Sequence, residues 1–596
     1  MFDKILIANR GEIAVRVART AREMGIETVA VYSEPDRNAL HVRMADEAYF
    51  IGPAAASQSY LNGNKLIETA LRAGARAIHP GYGFLAENAA FARDVVAAGL
   101  TWIGPHPDAI DAMGDKLRAR RTMMEAGVPL VPGGIEPVAD IAGAHAAAKE
   151  FGLPLALKAS GGGGGKGLKV ARARDEIDSA FETARREATA YFKDPTIYAE
   201  RYLENPKHIE MQVLADKHGN VVHVGERDCS LQRRHQKLWE EALPNISSGL
   251  RERMRAATVR AARAIGYDSV GTIECLVSGN EFYFLEMNTR IQVEHTVTEM
   301  ISGLDLIREQ IRVAAGEPLG FDQSDVRFKG HAIEGRVNAE DPSNDFQPAP
   351  GTILRYREPG GLGVRVDSAA FEGWTISADY DSLVGKLIVW APTRGEAIAR
   401  MRRAVNEYVV EGVPTTLPLL RALCDHPAVV DGNYGTATLE SFARELSARP
   451  STTALRASAQ SFDDACFARS AQDDMDPAIR VEVNDRLYRV RLIDIPKRGT
   501  AGLANNGRVR RMAPRLASGP TSSGAGANVV RSPMHGIIVE IGVSEGQAVA
   551  KGQIVAVIEA MKMMNEIRAE RSGTVARVHG AIGDSVESGS LLVTLA

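Results

Sequence analysis

Three stretches of this 596-residue sequence combine residue types that can do chemistry. The first, GTIECLVSGNEFYFLEMNTRIQVEH, runs from Gly271 to His295. Its alternation predicts a hairpin turning at Ser278–Gly279–Asn280, with Glu274 on one strand and Glu286 and Asn288 on the other. Residues two apart on a strand share a face, so these three oxygen donors can converge. Such a set suits Mg²⁺, which takes carboxylates together with nucleotide phosphates and water. Asn288, Arg290, Gln292 and Glu294 continue the period of two, so a polar strip along one strand face is expected. An edge hairpin with solvated acids is the bland alternative. Phe282, Phe284 and Leu285 argue instead for a sheet packed on a core.

The second stretch is SGGGGGKG, Ser160 to Gly167. Backbone N–H groups in such a run can approach phosphate oxygens closely. A Walker loop would need Gly at 160 and Ser or Thr at 167, and the sequence has Ser160 and Gly167, so that motif is excluded. LPLALKAS before the run and GLKVAR after it read as strands, which predicts a strand–loop–strand lid. Lys158, on the first of these strands, favours a nucleotide site over a bare flexible loop. The N-terminal KILIANRGEIAVRVARTAREMGIETVAVY reads as strand, turn, helix and strand, but it lacks GxGxxG, so a dinucleotide site is poorly supported. A third polar run, ERDCSLQRRHQKLWEE (Glu226 to Glu241), reads either as a solvated basic loop or as a segment that holds anions.

Near the C-terminus Lys562 stands between methionines in VIEAMKMMNE. It joins two copies of one pattern, Gly536–Ile558 and Gly573–Leu595, offset by 37 residues with glycines and valines in register. Each copy is a set of short β runs broken by glycine turns, too small to fold alone. Together they predict a small pseudo-symmetric β module with Lys562 at a hairpin tip. A surface lysine at a turn is the bland reading. The repeat favours a site of covalent attachment for a swinging group.

The elements that must position these groups exceed one core; the length suggests about three or four domains. Residues 499–528, rich in Gly, Ala, Ser and Asn, predict a flexible tether spanning about 30 Å. IRVEVNDRLYRVRLI (Ile479–Ile493) alternates like a hairpin around Asn484–Asp485 within an intermediate region, 447–498, of unassigned function. A net charge of −4 offers no global basic field for nucleic acid or a membrane surface. No apolar run approaches the roughly 18 residues of a membrane span. The four cysteines are scattered without CxxC, and the start of the chain reads straight into a strand, so the expected compartment is a reducing cytoplasm.

Residues 529–596 resemble a biotinyl carrier domain: EAMKM (Glu559–Met563) matches that family's attachment motif and SPMHG (Ser532–Gly536) its opening. Lipoyl domains are similar, but their lysine usually follows Asp and precedes Ala. The resemblance implies biotin on Lys562, attached by a biotin protein ligase. Residues 1–446 resemble the biotin carboxylase component of biotin-dependent carboxylases, an α/β ATP-grasp fold. The likeness is carried by the stretches above and by IHPGYGFLAEN (Ile78–Asn88), MGDK (Met113–Lys116), ERYLENPKHIE (Glu200–Glu210) and GRVNAEDP (Gly335–Pro342). It implies a Rossmann-like part (1–115), a lid (116–205), a catalytic α+β part (206–446) and an all-β flattened barrel as carrier (529–596).

The same resemblance implies roles. Lys116, Lys158, Gly162, Gly163, Gly164, Gly165, Lys166, Gly167, Glu200, Arg201, Tyr202, Leu203, His208, Gln232, His235 and Leu276 are expected at ATP, with Glu274 and Glu286. Glu274, Glu286 and Asn288 would hold Mg²⁺ or Mn²⁺. Lys237, Arg290, Gln292 and Val293 would bind bicarbonate, Glu294 would deprotonate it, and Arg336 would stabilise enolate-like biotin, with Tyr82 at the ring. Two departures stand beside the site: Thr296, where many relatives have Pro, and the continuation KLWEEALPN (Lys237–Asn245).

No several-hundred-residue segment remains for a carboxyltransferase, so a separate β subunit that carboxylates acetyl-CoA or propionyl-CoA is expected, around a dimer of the biotin carboxylase part. Methylcrotonyl-CoA, geranyl-CoA, pyruvate and urea types remain open, as does a biotinylated scaffold with a dead ATP-grasp domain. The intact set from Glu274 to Glu294 argues against the last.

Overall fold

The computed structural model describes residues 1–161, 167–448, 479–483, 486–490, 529–534, 536–561, 563–587 and 589–596. They fall into two compact units, one of residues 1–377 and 382–448 and one of residues 378–381 together with those from 479 onward.

The first unit opens with a parallel sheet in which Lys4–Ile7 lies between Glu27–Ser33 and Ala77–His79, flanked by Glu47–Gly52 and Thr101–Trp102. Its central strands are apolar runs because both sheet faces are covered. Ile5, Leu6 and Ile7 are at most 1% exposed, and Ile13, Ala14 and Val17 of the helix Gly11–Glu23 pack with Ile5 and Ile7. After it comes a small antiparallel sheet of Leu168–Ala171, Leu155–Ala159 and Ile197–Arg201. Helices Ile141–Phe151 and Ile177–Phe192 close its own core of Leu155, Leu157, Phe181 and Ile197. The strand–loop–strand reading around the glycine run matches this pairing; residues 162–166 themselves lie outside the described residues.

The largest sheet among the described residues is eight-stranded and antiparallel. Its order is Glu281–Asn288, Val270–Ser278, Lys207–Ala215, Val221–Arg233, Gln236–Ala242, His331–Asn338, Leu383–Ala391 and Val364–Ser368. Strand alternation separates its faces. Ile209, Met211 and Val213 join Met254 and Ala257 of the helix Ser248–Ala264 in an apolar cluster. His208, Glu210 and Gln212, one residue out of phase, are buried on the opposite face. Two expectations are corrected here. The polar strip does not continue along one strand: pairing ends at Asn288, and Arg290 to Glu294 form a loop into the helix His295–Ser302, with Glu294 at its N-cap. Nor is Glu226–Glu241 a loop; it is two paired strands turning at Arg234 and His235, both with positive φ. The side chains of Glu226 through Leu231 are buried there.

In the second unit Ile479–Val483 and Arg486–Val490 pair antiparallel, with Val483 opposite Arg486. The expected tether, 499–528, lies outside the described residues. The C-terminal module is two four-stranded sheets that exchange strands between the repeat copies. Val549 pairs with Gly573 and Gly536 with Val586, one contact being the image of the other under the 37-residue offset. Gly546 and Gly583 have φ of 85° and 96°, and Gly552 and Gly589 of 87° and 89°, the left-handed turns that both copies require. Val555, Ile558, Val575, Leu592 and Val593 fill the space between the sheets. Ala560 pairs with Met563, the last pair of the hairpin Ile554–Arg568. Met561 is buried at positive φ, while Lys562 is outside the described residues. No helix among the described residues is long and apolar enough to cross a membrane.

Candidate active site

A cavity of about 480 Å³ opens between the small antiparallel sheet and the polar face of the large one. That volume suits a nucleotide-sized ligand. Lys116, Lys158, Gly167, Glu200, Arg201, Tyr202, Leu203, His208, Gln232, His235, Leu276 and Glu286 line it together with Lys237, Glu274, Asn288, Arg290, Gln292, Val293, Glu294 and Arg336. Residues more than 200 positions apart in the sequence thus share one chamber. Ala156, Leu168, Leu276 and Leu285 give it an apolar wall, and Lys116 and Lys158 supply cations for phosphate.

At its floor, Lys237 is held by three carboxylates: Glu210 at 2.6 Å, Glu294 at 2.7 Å and Glu274 at 2.9 Å. Burial alone would favour a neutral amine, but the three anions hold its pKa well above the ordinary range. Burial likewise works against an ionised Glu294, yet Lys237, Arg336 and Arg227 together keep that carboxyl well below the usual range. Glu274 behaves the same way, with Lys237 and His208 outweighing its burial. Both acids are therefore anions at neutral pH.

Arg336 reaches Glu294 Oε2 at 2.8 Å and Glu240 Oε1 at 2.5 Å. Gln292 donates to Glu274 at 2.9 Å and accepts from Arg227 at 2.6 Å. Arg227, fully buried, also binds Glu210 at 2.5 Å, Gln212 at 2.6 Å and Thr298 at 2.8 Å, which locks the floor to the helix His295–Ser302.

At the nucleotide end Lys116 pairs with Glu286 at 2.8 Å, and Glu200 is shared by Lys158 and by Arg120, the latter at 2.8 Å. Glu274 and Glu286 are direct cross-strand partners, and Asn288 donates to Glu274 at 2.8 Å. This all-oxygen set fits a hard divalent cation facing phosphate. Arg290 bridges Asn288 Oδ1 at 2.7 Å and Glu87 at 2.8 Å.

Tyr82 is not in the cavity lining. Its hydroxyl donates to Glu12, which faces the fully buried Lys386 at 3.1 Å; Lys386 in turn donates to the Val293 carbonyl at 3.0 Å. Sequence spacing alone does not single out Glu210, Arg227, Glu240 and Lys386. A signal exists for Glu210, two residues from His208 on one strand face; Arg227 and Glu240 sit in the polar run whose strand character the charges obscure.

Family models match nearly the whole chain outside 442–527. They are the biotin carboxylase N-terminal domain over residues 1–110 and the carbamoyl-phosphate synthase L chain ATP-binding domain over 115–321. The biotin carboxylase C-terminal domain follows over 334–441, and the biotin-requiring enzyme domain over 528–595. Biotin carboxylase 1 of Bacillus subtilis is 53% identical over 445 residues, 74% of this chain and 99% of that protein. The biotin-dependent acyl-coenzyme A carboxylase alpha3 subunit of Mycobacterium leprae is 43% identical over 596 residues, 99% of this chain and 98% of that one. Among solved structures, the biotin carboxylase domain dimer of Hydrogenobacter thermophilus 2-oxoglutarate carboxylase, in complex with MgADP, ADP and bicarbonate, superposes with TM-score 0.72 at 51% identity. It covers 74% of this chain and 98% of that one. Campylobacter jejuni biotin carboxylase also gives TM-score 0.72, at 45% identity, over 74% and 99% of the two chains. This chain belongs to the biotin carboxylase family, the ATP-dependent ligases that carboxylate biotin, and joins to that enzyme a biotin-requiring carrier module in the same polypeptide.

Proposed function

We propose that this chain is the α subunit of an acyl-CoA carboxylase, loading CO₂ from bicarbonate onto biotin at Lys562 for a separate carboxyltransferase β subunit that carboxylates acetyl-CoA or propionyl-CoA. The observation that carries this reading is the end-to-end match to an acyl-CoA carboxylase alpha3 subunit, through enzyme, intermediate region and carrier alike. A pyruvate-type acceptor is the second reading. It is favoured by 53% identity to a pyruvate carboxylase subunit of Methanothermobacter thermautotrophicus over 449 residues, 75% of this chain and 91% of that protein. The working division is a catalytic part at 1–446, an intermediate region at 447–498, a tether at 499–528 and a carrier at 529–596. A biotin protein ligase would modify the carrier.

ATP with Mg²⁺ turns bicarbonate into an activated carboxyl donor, and biotin supplies the ring nitrogen that accepts the carboxyl group. The chain's own residues do the rest. Lys116, Lys158 and the glycine run hold phosphate; Glu274, Glu286 and Asn288 hold the metal. Lys237, Arg290 and Gln292 receive the bicarbonate anion beside Glu294. Lys237 and Arg336 depress the basicity of Glu294. An anion that draws these cations to itself raises it again, so Glu294 becomes a competent base when bicarbonate is in place. With biotin bound, Arg336 would stabilise negative charge on its ring. Closure of the small sheet over the cavity keeps water from the activated intermediate.

The test uses the full chain co-expressed with a biotin ligase. Labelled bicarbonate plus ATP should place label on the protein, and Lys562→Arg should abolish both biotinylation and labelling. Addition of the co-purified partner should move label to an acyl-CoA; transfer to pyruvate instead would reject the acyl-CoA reading.

A further inference from the structure

Beneath Arg336 lie two carboxyl groups that the chemistry above does not use. Glu240 and Glu334 are direct partners across the antiparallel ladder of Gln236–Ala242 and His331–Asn338, and both are 0% exposed. Side chains so opposed have Cβ atoms about 5 Å apart, where two like charges repel. Of their four oxygens, Glu240 Oε1 accepts from Arg336 at 2.6 Å and Glu334 Oε2 from the Thr296 hydroxyl. The other two, Glu240 Oε2 and Glu334 Oε1, are buried without a hydrogen-bond partner.

Cations around the pair are already committed. Arg336 also serves Glu294, and Lys386 also serves Glu12 and Asp367 at 3.1 and 3.8 Å. The remaining ionisable groups that face the pair are Lys237, on the strand of Glu240, Glu294, from the loop before the helix, and Cys229, from the adjacent strand. Burial and the charge of Glu294 push Glu240 up to about 7, against Arg336; burial and Glu240 push Glu334 well above the ordinary range.

We propose that Glu240 and Glu334 share one proton between their unpartnered oxygens at neutral pH and that this protonated pair sets the position of Arg336, with Glu240 as its positioning residue. With the proton in place the pair carries one negative charge, and the guanidinium extends to Glu294. When the proton leaves, two negative charges draw Arg336 down and weaken its reach toward Glu294 and biotin. Thr296 joins this device: its hydroxyl donates to Glu334 and favours the ionised form, a contact that proline at this position cannot make. The proposal rests on Arg336 acting at the biotin ring, and its two halves are tested separately.

Infrared difference titration of the full chain reads the proton directly. The expected result is a protonated-carboxyl stretch at pH 7.5 that Glu334→Gln diminishes; no such band in the wild type overturns the shared proton, whatever Arg336 does. The pH profile of bicarbonate-dependent ATP cleavage with free biotin reads the positioning. The wild type should lose kcat/KM on the alkaline side, Glu334→Gln should lose that limb or move it up by at least one pH unit, and Thr296→Val should also move it upward. An unchanged alkaline limb in both variants overturns the positioning role. If Glu334→Gln does not fold, the Thr296→Val profile and the wild-type infrared titration decide the two halves. Wild-type cleavage rates in Arg336→Ala with the infrared band intact would reject the role of Arg336, and the positioning role with it, but not the proton.

Discussion

Arg227 and Glu294 show two kinds of buried charge with different consequences. Arg227 does not itself line the cavity and is 0% exposed, yet it binds Glu210, Gln212, Gln292 and Thr298 at once. Removing one partner of a buried ionic cluster leaves the others uncompensated, typically at about 3–5 kcal/mol. Arg227→Met is expected to lower stability by that amount, read as a drop in the urea midpoint with an unchanged slope. Glu294→Gln should act in the opposite way. Its carboxylate accepts from Lys237 and Arg336 through separate oxygens; an amide keeps one of these acceptors, while Lys237 retains Glu210 and Glu274 and Arg336 retains Glu240. We expect the urea midpoint to fall far less than for Arg227→Met, while bicarbonate-dependent ATP cleavage drops at least 100-fold, in line with loss of a general base. Near wild-type cleavage would remove Glu294 from the chemistry. Of these residues Glu294 is marked in the sequence by the family resemblance, since the strand alternation from Glu286 ends at Asn288. Arg227 is not, because its partners come from three other elements.

At the scale of elements, the carrier module's repeat makes a quantitative comparison available. Gly536 and Gly573 occupy equivalent places in the two copies, each opposite the carbonyl of an equivalent residue, Glu559 and Ala596. A Cβ at 536 would lie 2.5 Å from the Glu559 oxygen and 2.5 Å from Ile558 Cγ2, whereas one at 573 would lie 3.1 Å from the Ala596 oxygen. The first approach, with backbone inside a paired strand, is one that real Cβ atoms essentially never make; the second requires its neighbour to give by only a few tenths of an ångström. Gly536→Ala is therefore expected to destabilise the module by roughly 1–3 kcal/mol, and Gly573→Ala by clearly less. Hydrogen exchange of amides in the strand Ile554–Ala560 within the full chain measures both; equal effects would contradict the geometry. The exchange of strands between copies is foreshadowed by the 37-residue offset. In the large sheet the hairpin of Val270–Ser278 with Glu281–Asn288 is likewise legible, since alternation and a glycine turn are local signals. The end of that alternation is not. Arg290, Gln292 and Glu294 keep the period of two, but pairing stops at Asn288 and the chain enters a helix.

Over the whole molecule, buried ionisation is distributed unequally. The first unit buries Asp367, Glu241 and Glu294, in each of which neighbouring cations outweigh burial and hold the carboxyl low. It also buries His41 and His79, which burial pushes down to about 4 and about 3. Both kinds of group bind more protons unfolded than folded. Stability from the carboxylates is present above their unfolded values and is lost as pH falls through the folded ones. Stability from the neutral histidines is lost as pH falls below about 6.5. Among the described residues of the carrier module, Ser532 is the sole buried polar side chain. The first unit should therefore unfold in acid at a higher pH than the carrier. All four tryptophans, Trp102, Trp239, Trp374 and Trp390, lie in the first unit, so their fluorescence reports it alone, with carrier amide exchange as the comparison. Coincident transitions would refute the asymmetry. By itself the sequence determines whatever rests on short spacing: the alternation that makes the metal-facing hairpin, the glycine run between two strands, the internal repeat and the lysine between its copies. Only the tertiary structure decides that Glu240 faces Glu334 nearly a hundred residues away and that Lys386 supports Val293. It likewise sets Tyr82 against Glu12 rather than in the cavity. Register between distant strands is fixed by the packing of both sheet faces at once, and no local pattern of residues encodes it.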